Sequence, residues 1–254
     1  PVLSGIRRES AIGQGQLSLS AEGTLVWGAG SDAGVGRFVW VRRDGHVMDT
    51  LPILPANVGG YALSQDGRRL AFQRLELAGP SSLVVVDFDR HVVDEIAAGK
   101  GLVAQNWIRG SRALTVEADG AGRALRFDSS EPQMDTTGGS FEDESPNGAL
   151  RCRAYGPSGA KMWRVAAPTD TILLDRATSY WCRFSPDNRW IVWDGEGTFM
   201  APTTSRGEGT RIKLADCGEA RWSHDGREVI CREKNTWFAV AAPSGDRGAP
   251  GTPK

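Results

Sequence analysis

Apolar residues along this chain come in runs of four to eight positions, some alternating with polar residues and some unbroken, with clusters of Gly, Pro, Asp, Asn and Ser between them. Alternation at a period of two marks a strand with one buried face, and an unbroken run such as Leu83-Val84-Val85-Val86 fits a strand covered on both faces. No stretch sustains the i, i+3, i+4, i+7 spacing of an amphipathic helix. The pattern predicts an all-β chain.

A hairpin signature returns six times. Its clearest copy is Tyr61-Ala62-Leu63-Ser64-Gln65-Asp66-Gly67-Arg68-Arg69-Leu70-Ala71-Phe72: an apolar alternation, a polar turn, then a second strand. Related copies surround Ser20-Ala21-Glu22-Gly23, Ser185-Pro186-Asp187-Asn188 and Ser223-His224-Asp225-Gly226, and two are degenerate, at Arg109-Gly110 and at Ser145-Pro146-Asn147-Gly148. Gly, or the Asn188 that replaces it, supplies the positive φ that a tight turn demands. These markers recur at intervals of 38 to 44 residues, the size of a propeller blade. Two more strand-like runs follow each hairpin, for example 83–88 and 91–96, which gives four strands per repeat. The expected fold is a six-bladed β-propeller of four-stranded antiparallel blades over residues 1–242, with a flexible Pro/Gly-rich tail at 243–254. The sixth repeat has only three strand runs before that tail, so Val2-Leu3-Ser4-Gly5-Ile6 is expected to close the ring as its outermost strand.

Ser-x-Asp-Gly followed by two polar residues and a strand resembles the TolB-type, WD-like propeller repeat, over nearly the entire chain. The first repeat, with Val39-Trp40-Val41-Arg42-Arg43-Asp44-Gly45, is similar to propellers found C-terminal to some bacterial protein kinases. The kinase parts themselves are missing: Asp87-Phe88-Asp89 is a strand end, and no Gly-rich loop leads to a strand lysine. The resemblance implies a propeller that binds a protein partner, and a periplasmic or extracytoplasmic location is expected with it.

Composition narrows the partners. A formal net charge of −1 with 24% charged residues gives no electrostatic bias toward nucleic acid or anionic lipid. No apolar run approaches the length of a membrane span, so no direct membrane insertion is expected, and the protein is expected to be monomeric. The start at Pro1, without initiator Met or leader, fits a mature chain or a piece of a longer polypeptide. Cys152, Cys182, Cys217 and Cys231 lack zinc-ligand spacing and are read as buried free thiols, with one disulfide as the alternative in an oxidising compartment.

Catalytic signatures are absent. The three histidines, His46, His91 and His224, fall in or beside turns. Gly156-Pro157-Ser158-Gly159 has the wrong spacing for a nucleophile elbow, and Gly99-Lys100-Gly101 lacks the rest of a phosphate loop. At Asp66-Gly67 and Asp225-Gly226 the Gly follows Asp directly, unlike the sialidase-type Asp box, and only three tyrosines exist to serve as a nucleophile.

Nine tryptophans raise the question of a stacking platform. Trp27, Trp40, Trp163, Trp190, Trp193 and Trp237 sit inside strand runs and are read as core, whereas Trp107, Trp181 and Trp222, on first strands, are read as facing the channel. The resulting expectation is a non-catalytic module that grips a protein or peptide ligand at its channel mouth, with no cofactor and no metal. Blade order places Asn57, Tyr61, Lys100, Gln105, Arg176, Tyr180, Trp181, Glu219 and Arg221 around that mouth. The alternatives are a channel-sited glycosidase or lyase, which needs two carboxylates at catalytic separation, and a ligand-sensing domain of a longer bacterial receptor kinase.

Overall fold

The computed structural model describes residues 17–19, 25–29, 36–42, 46–53, 56–76, 80–99, 102–108, 110–118, 121–127, 132–135, 141–154, 156–207, 211–223, 225–233 and 236–243. Of residues 17–19 and 25–29 the backbone alone is described. Among the described residues every regular element is a strand, and the strands form antiparallel meanders, the blades of a β-propeller. The chain divides into two compact units, residues 2–136 and 137–254.

The first unit carries three blades. They are β1–β4 (Leu17–Leu19, Leu25–Ala29, Arg37–Val41, Val47–Thr50), β5–β8 (Val58–Leu63, Arg69–Arg74, Ser81–Asp87, Val92–Gly99) and β9–β12 (Val103–Ile108, Ala113–Ala118, Ala121–Arg126, Gln133–Asp135). The middle blade shows why its strands are apolar at successive positions. Leu70, Phe72, Val84 and Val86 pack with Phe38 and Leu51 of the blade before, while Ala71, Leu83 and Val85 pack with Trp107, Leu114 and Val116 of the blade after. Alternate side chains leave opposite faces of a strand, so a sheet sandwiched between two others must be apolar on both.

The second unit repeats the scheme. Its blades are β13–β16 (Asp143–Glu144, Leu150–Ala154, Ala160–Arg164, Ala167–Asp175), β17–β20 (Cys182–Phe184, Trp190–Gly195, Gly197–Pro202, Ile212–Ala215) and the three strands β21–β23 (Gly218–Trp222, Glu228–Glu233, Thr236–Ala241). Ile191 and Trp193 pack toward Met162 and Leu174 on one side, and Trp190 and Val192 toward Trp222, Val229 and Val240 on the other.

Six complete blades were expected; five have four strands, and the sixth sheet has three among the described residues. After Ala241 the chain meets Pro243, whose nitrogen has no hydrogen to donate to a ladder. The expected closing strand, Val2 to Ile6, lies outside the described residues.

The repeated turns share one hydrogen-bond pattern. Ser64 Oγ donates to Asp66 Oδ1 at 2.6 Å and accepts the Arg69 N–H at 2.8 Å, while Asp66 Oδ1 also accepts the Arg68 N–H at 3.1 Å. Ser145 with Asn147, Ser185 with Asp187 and Ser223 with Asp225 repeat it. The next residue is left-handed in each, with φ of 70° at Gly67, 71° at Gly148, 63° at Asn188 and 66° at Gly226. The turn aspartates are therefore structural. Because each blade is a meander, these turns lie at one end of a unit, and the loops joining second to third strands and blade to blade lie at the other.

The free-thiol reading is overturned: Cys152 pairs with Cys182 and Cys217 with Cys231, at Cα separations of 6.4 and 5.8 Å. The first disulfide joins β14 to β17, adjacent strands of neighbouring blades. The second joins the segment entering β21 to β22 within one sheet. The channel-facing reading of three tryptophans is likewise corrected, since Trp107, Trp181 and Trp222 are all buried. Trp107 Nε1 donates to the Ala62 carbonyl at 2.9 Å and Trp222 Nε1 to the Arg183 carbonyl at 3.3 Å, each reaching the first strand of the preceding blade.

Candidate functional site

The nine residues expected at one mouth fall into two groups. In the first unit, Asn57 and Gln105 are half-buried, and Lys100 lies outside the described residues. Tyr61 is buried instead of offered to solvent, with its ring edge-on to Phe38 at 5.2 Å between centroids. Alternation along β5 turns it into the core between the first two blades.

In the second unit, Arg176, Tyr180 and Trp181 belong to the loop from β16 to β17, at the end opposite the Ser-x-Asp-Gly turns. Arg176 is exposed, and Tyr180 is 62% exposed, the one aromatic side chain among the exposed large apolar residues described. Trp181 is 2% exposed, packed among Trp190, Met200 and Trp222, so it supports the surface and does not form it. Arg221 is half-buried, its guanidinium carbon 6.0 Å from the centre of the Trp181 ring. Glu219 is part of β21, and its side chain lies outside the description.

The loop that carries Tyr180 is clamped. Asp175 Oδ1 accepts the Ala177 N–H at 3.0 Å, the Ser179 N–H reaches the Gly156 carbonyl at 3.1 Å, and Ser179 Oγ donates to the Asp194 carbonyl at 2.5 Å. Asp194 Oδ1 then accepts both the Tyr180 N–H at 2.7 Å and the Trp181 N–H at 3.0 Å. Asp175 is itself anchored by Trp193 Nε1 at 3.2 Å and by Arg211 at 2.8 Å. An exposed aromatic on a backbone held this firmly gives up little conformational freedom when something lands on it.

Beneath the loop is a group of charges that the sequence did not reveal. Glu142 is buried, with Oε1 on Arg183 at 2.5 Å and Oε2 accepting the Cys182 N–H at 3.1 Å. Burial pushes its carboxyl up to about 7 against the pull of Arg183, with Asp194 and Asp143 adding to the rise. Burial likewise raises Asp194 to about 6, against the N–H groups of Tyr180, Trp181 and Asp194 itself and the charge of Arg221. The N–H groups of Tyr180 and Trp181 both fall on one oxygen of Asp194, Oδ1. Next to this group, Glu144 and Arg151 form a second buried ion pair at 3.0 Å, with Arg151 stacked 4.0 Å from the Phe141 ring centre. In sequence Glu142 and Asp194 look like ordinary acids at strand ends; what marks them is burial, which only the neighbouring blade confers.

No family model matches this chain, and no curated protein matches it. Among solved structures it is similar to TolB from Acinetobacter baumannii, with a TM-score of 0.59 and 14% identity over 86% of this chain and 62% of that one. It is also similar to a chain of the mitotic checkpoint complex, at a TM-score of 0.55 and 12% identity over 87% of this chain and 84% of the other. A prolyl endopeptidase gives a TM-score of 0.54 and 13% identity over 89% of this chain and 40% of the peptidase. The chain thus spans less than two thirds of the TolB chain and of the peptidase. At these identities the likeness establishes the fold alone, a β-propeller.

Proposed function

We propose that this chain is a non-catalytic recognition module that holds a protein or peptide partner on the loop end of the 137–254 unit. The carrying observation is Tyr180: 62% exposed, with its own N–H and that of the next residue both fixed by one carboxylate. Aromatic anchors on preorganised backbone are what binding hot spots are made of. The two disulfides support a setting outside the reducing cytosol.

The glycosidase alternative asks for two working carboxyl groups. Glu142 is 6% exposed with both oxygens already engaged, which removes it as one of the two and favours the binding reading.

A peptide-array screen against the purified chain tests the proposal. Binders should lose at least about tenfold in affinity on Tyr180→Ala, the effect of a hot-spot residue. They should be indifferent to Arg164→Ala at the turn end. Binders insensitive to Tyr180, or turnover of chromogenic glycosides that disappears in Asp194→Asn, would overturn it.

A further inference from the structure

Among the described residues, the two ends of the 137–254 unit differ in charge. At the loop end the exposed charged residues described at the loops are Glu196, Asp216 and Glu233 against Arg176. Asp216 is already paired with Lys213, whereas Glu196 and Glu233 have no partner among the described residues. At the turn end four exposed arginines, Arg164, Arg189, Arg206 and Arg227, stand against Asp170, Asp187 and Asp225; Arg189 pairs with Asp187 at 2.8 Å and Arg227 with Asp225 at 3.6 Å, which leaves Arg164 and Arg206 to outweigh Asp170. Among the described residues the net charge is therefore negative at the end that carries Tyr180 and positive at the turn end.

Glu196 stands at the tip of the β18–β19 hairpin, and the hairpin's first strand carries Asp194 two residues earlier. That places two carboxyl groups and an exposed phenol ring on adjoining loops: Asp194 through its hydrogen bonds to the Tyr180 loop, Glu196 at the neighbouring corner. Arg221 offsets part of the Asp194 charge. Glu196 and Glu233 supply the excess. An aromatic face beside carboxylates is the chemistry that receives an ammonium or guanidinium group, by attraction to the ring quadrupole and by charge pairing.

Building on the recognition role above, we infer that the loop end takes a basic segment of its partner, with a lysine or arginine side chain seated against Tyr180, the Asp194 carboxylate and Glu196. The opposite sign of the turn end makes the choice directional: a basic segment is drawn to one end of the unit and repelled by the other. Acidic and neutral segments lack this bias.

The test uses fluorescence anisotropy of three labelled octapeptides, octalysine, octaglutamate and alternating Gly-Ser, against the whole chain. Octalysine should bind at low salt and weaken as salt rises. Its affinity should fall at least about fivefold with Tyr180→Ala and with Glu196→Gln, in keeping with a cation on an aromatic face and the loss of one charge. Arg164→Ala should leave it unchanged or strengthen it, and circular dichroism should show both loop variants folded. If octaglutamate or the Gly-Ser peptide binds equally well and still depends on Tyr180, the recognition role stands and the basic-segment inference is overturned. If octalysine binds with no dependence on Tyr180 or Glu196, the inference is overturned as nonspecific attraction. If no peptide binds in a Tyr180-dependent way, the inference falls and the recognition role loses its anchor.

Discussion

The side-chain oxygen of Asn188 accepts the backbone N–H of Asn147 at 2.8 Å, so the residue that replaces glycine in one blade's turn also ties that turn to the turn of the blade before. Its φ of 63° is the left-handed conformation that asparagine tolerates better than other side-chain-bearing residues. Glycine at this position would keep the backbone and lose the bond between blades; alanine would lose the bond and strain the turn. We expect Asn188→Gly to cost about 1 kcal/mol, a drop of roughly 2–4 °C in melting temperature. Asn188→Ala should cost about twice that. A more stable glycine variant in thermal denaturation would show that the cross-turn bond contributes nothing.

The two disulfides differ in the loops they close, 30 residues for Cys152–Cys182 and 14 for Cys217–Cys231. Chain-entropy reasoning gives about 3 to 4 kcal/mol for loops of this size, the longer one at the upper end. Thiol titration of the denatured, unreduced protein should find no reactive thiol among the four. The Cys152→Ala/Cys182→Ala double variant should melt below the Cys217→Ala/Cys231→Ala variant. The reverse order would mean that packing around the shorter link outweighs chain entropy.

Glu142 sets a pH dependence whose sign follows from its raised pKa. Burial lifts the carboxyl from its ordinary 4.5 to about 7, so between these values the folded protein holds a proton that the unfolded chain has released. Stability from this group is fully present below about 4.5 and is lost as pH rises through about 7. Relative to Glu142→Gln, the wild-type protein should therefore lose about 5 °C or more in melting temperature between these limits. Asp175 runs the other way. Burial works to raise it, but the Ala177 N–H, the Trp193 indole and Arg211 together hold it below its ordinary 3.8, so its contribution is present above that value and lost on acidification. A difference between wild type and Glu142→Gln that is flat across pH 4.5 to 7 would refute the assignment for Glu142.

The turns were legible in the sequence because Ser, Asp or Asn, and Gly at fixed offsets each satisfy a named backbone requirement, and the positive φ values fall at Gly67, Gly110, Gly148, Asn188 and Gly226 as the repeat marked them. The strands were legible because two-faced burial writes itself as unbroken apolar runs like Leu83 to Val86. The disulfides were not, because Cys152 and Cys182 meet only through the register of one blade on the next. The same holds within the candidate site. Tyr180 and Trp181 are adjacent and alike in sequence, yet one faces solvent and the other the core, a choice made by how Asp194 clamps the entering loop.

Two tryptophans in the second unit separate packing from hydrogen bonding. Trp222 is buried and its indole N–H is satisfied by the Arg183 carbonyl of the neighbouring blade at 3.3 Å. Trp181 is buried in the same cluster, and its indole N–H has no partner among the described residues. Replacing either by phenylalanine removes similar volume and apolar area, so the cavity cost is shared. Beyond that the two diverge. Trp222→Phe also removes a bond between blades, whereas Trp181→Phe removes a buried donor that is already unsatisfied. Trp222→Phe should therefore be the less stable variant by about 1 to 3 kcal/mol, a gap of several degrees in melting temperature for a chain of this size. Equal melting temperatures would mean that the link from Trp222 to Arg183 contributes nothing to holding the two blades together.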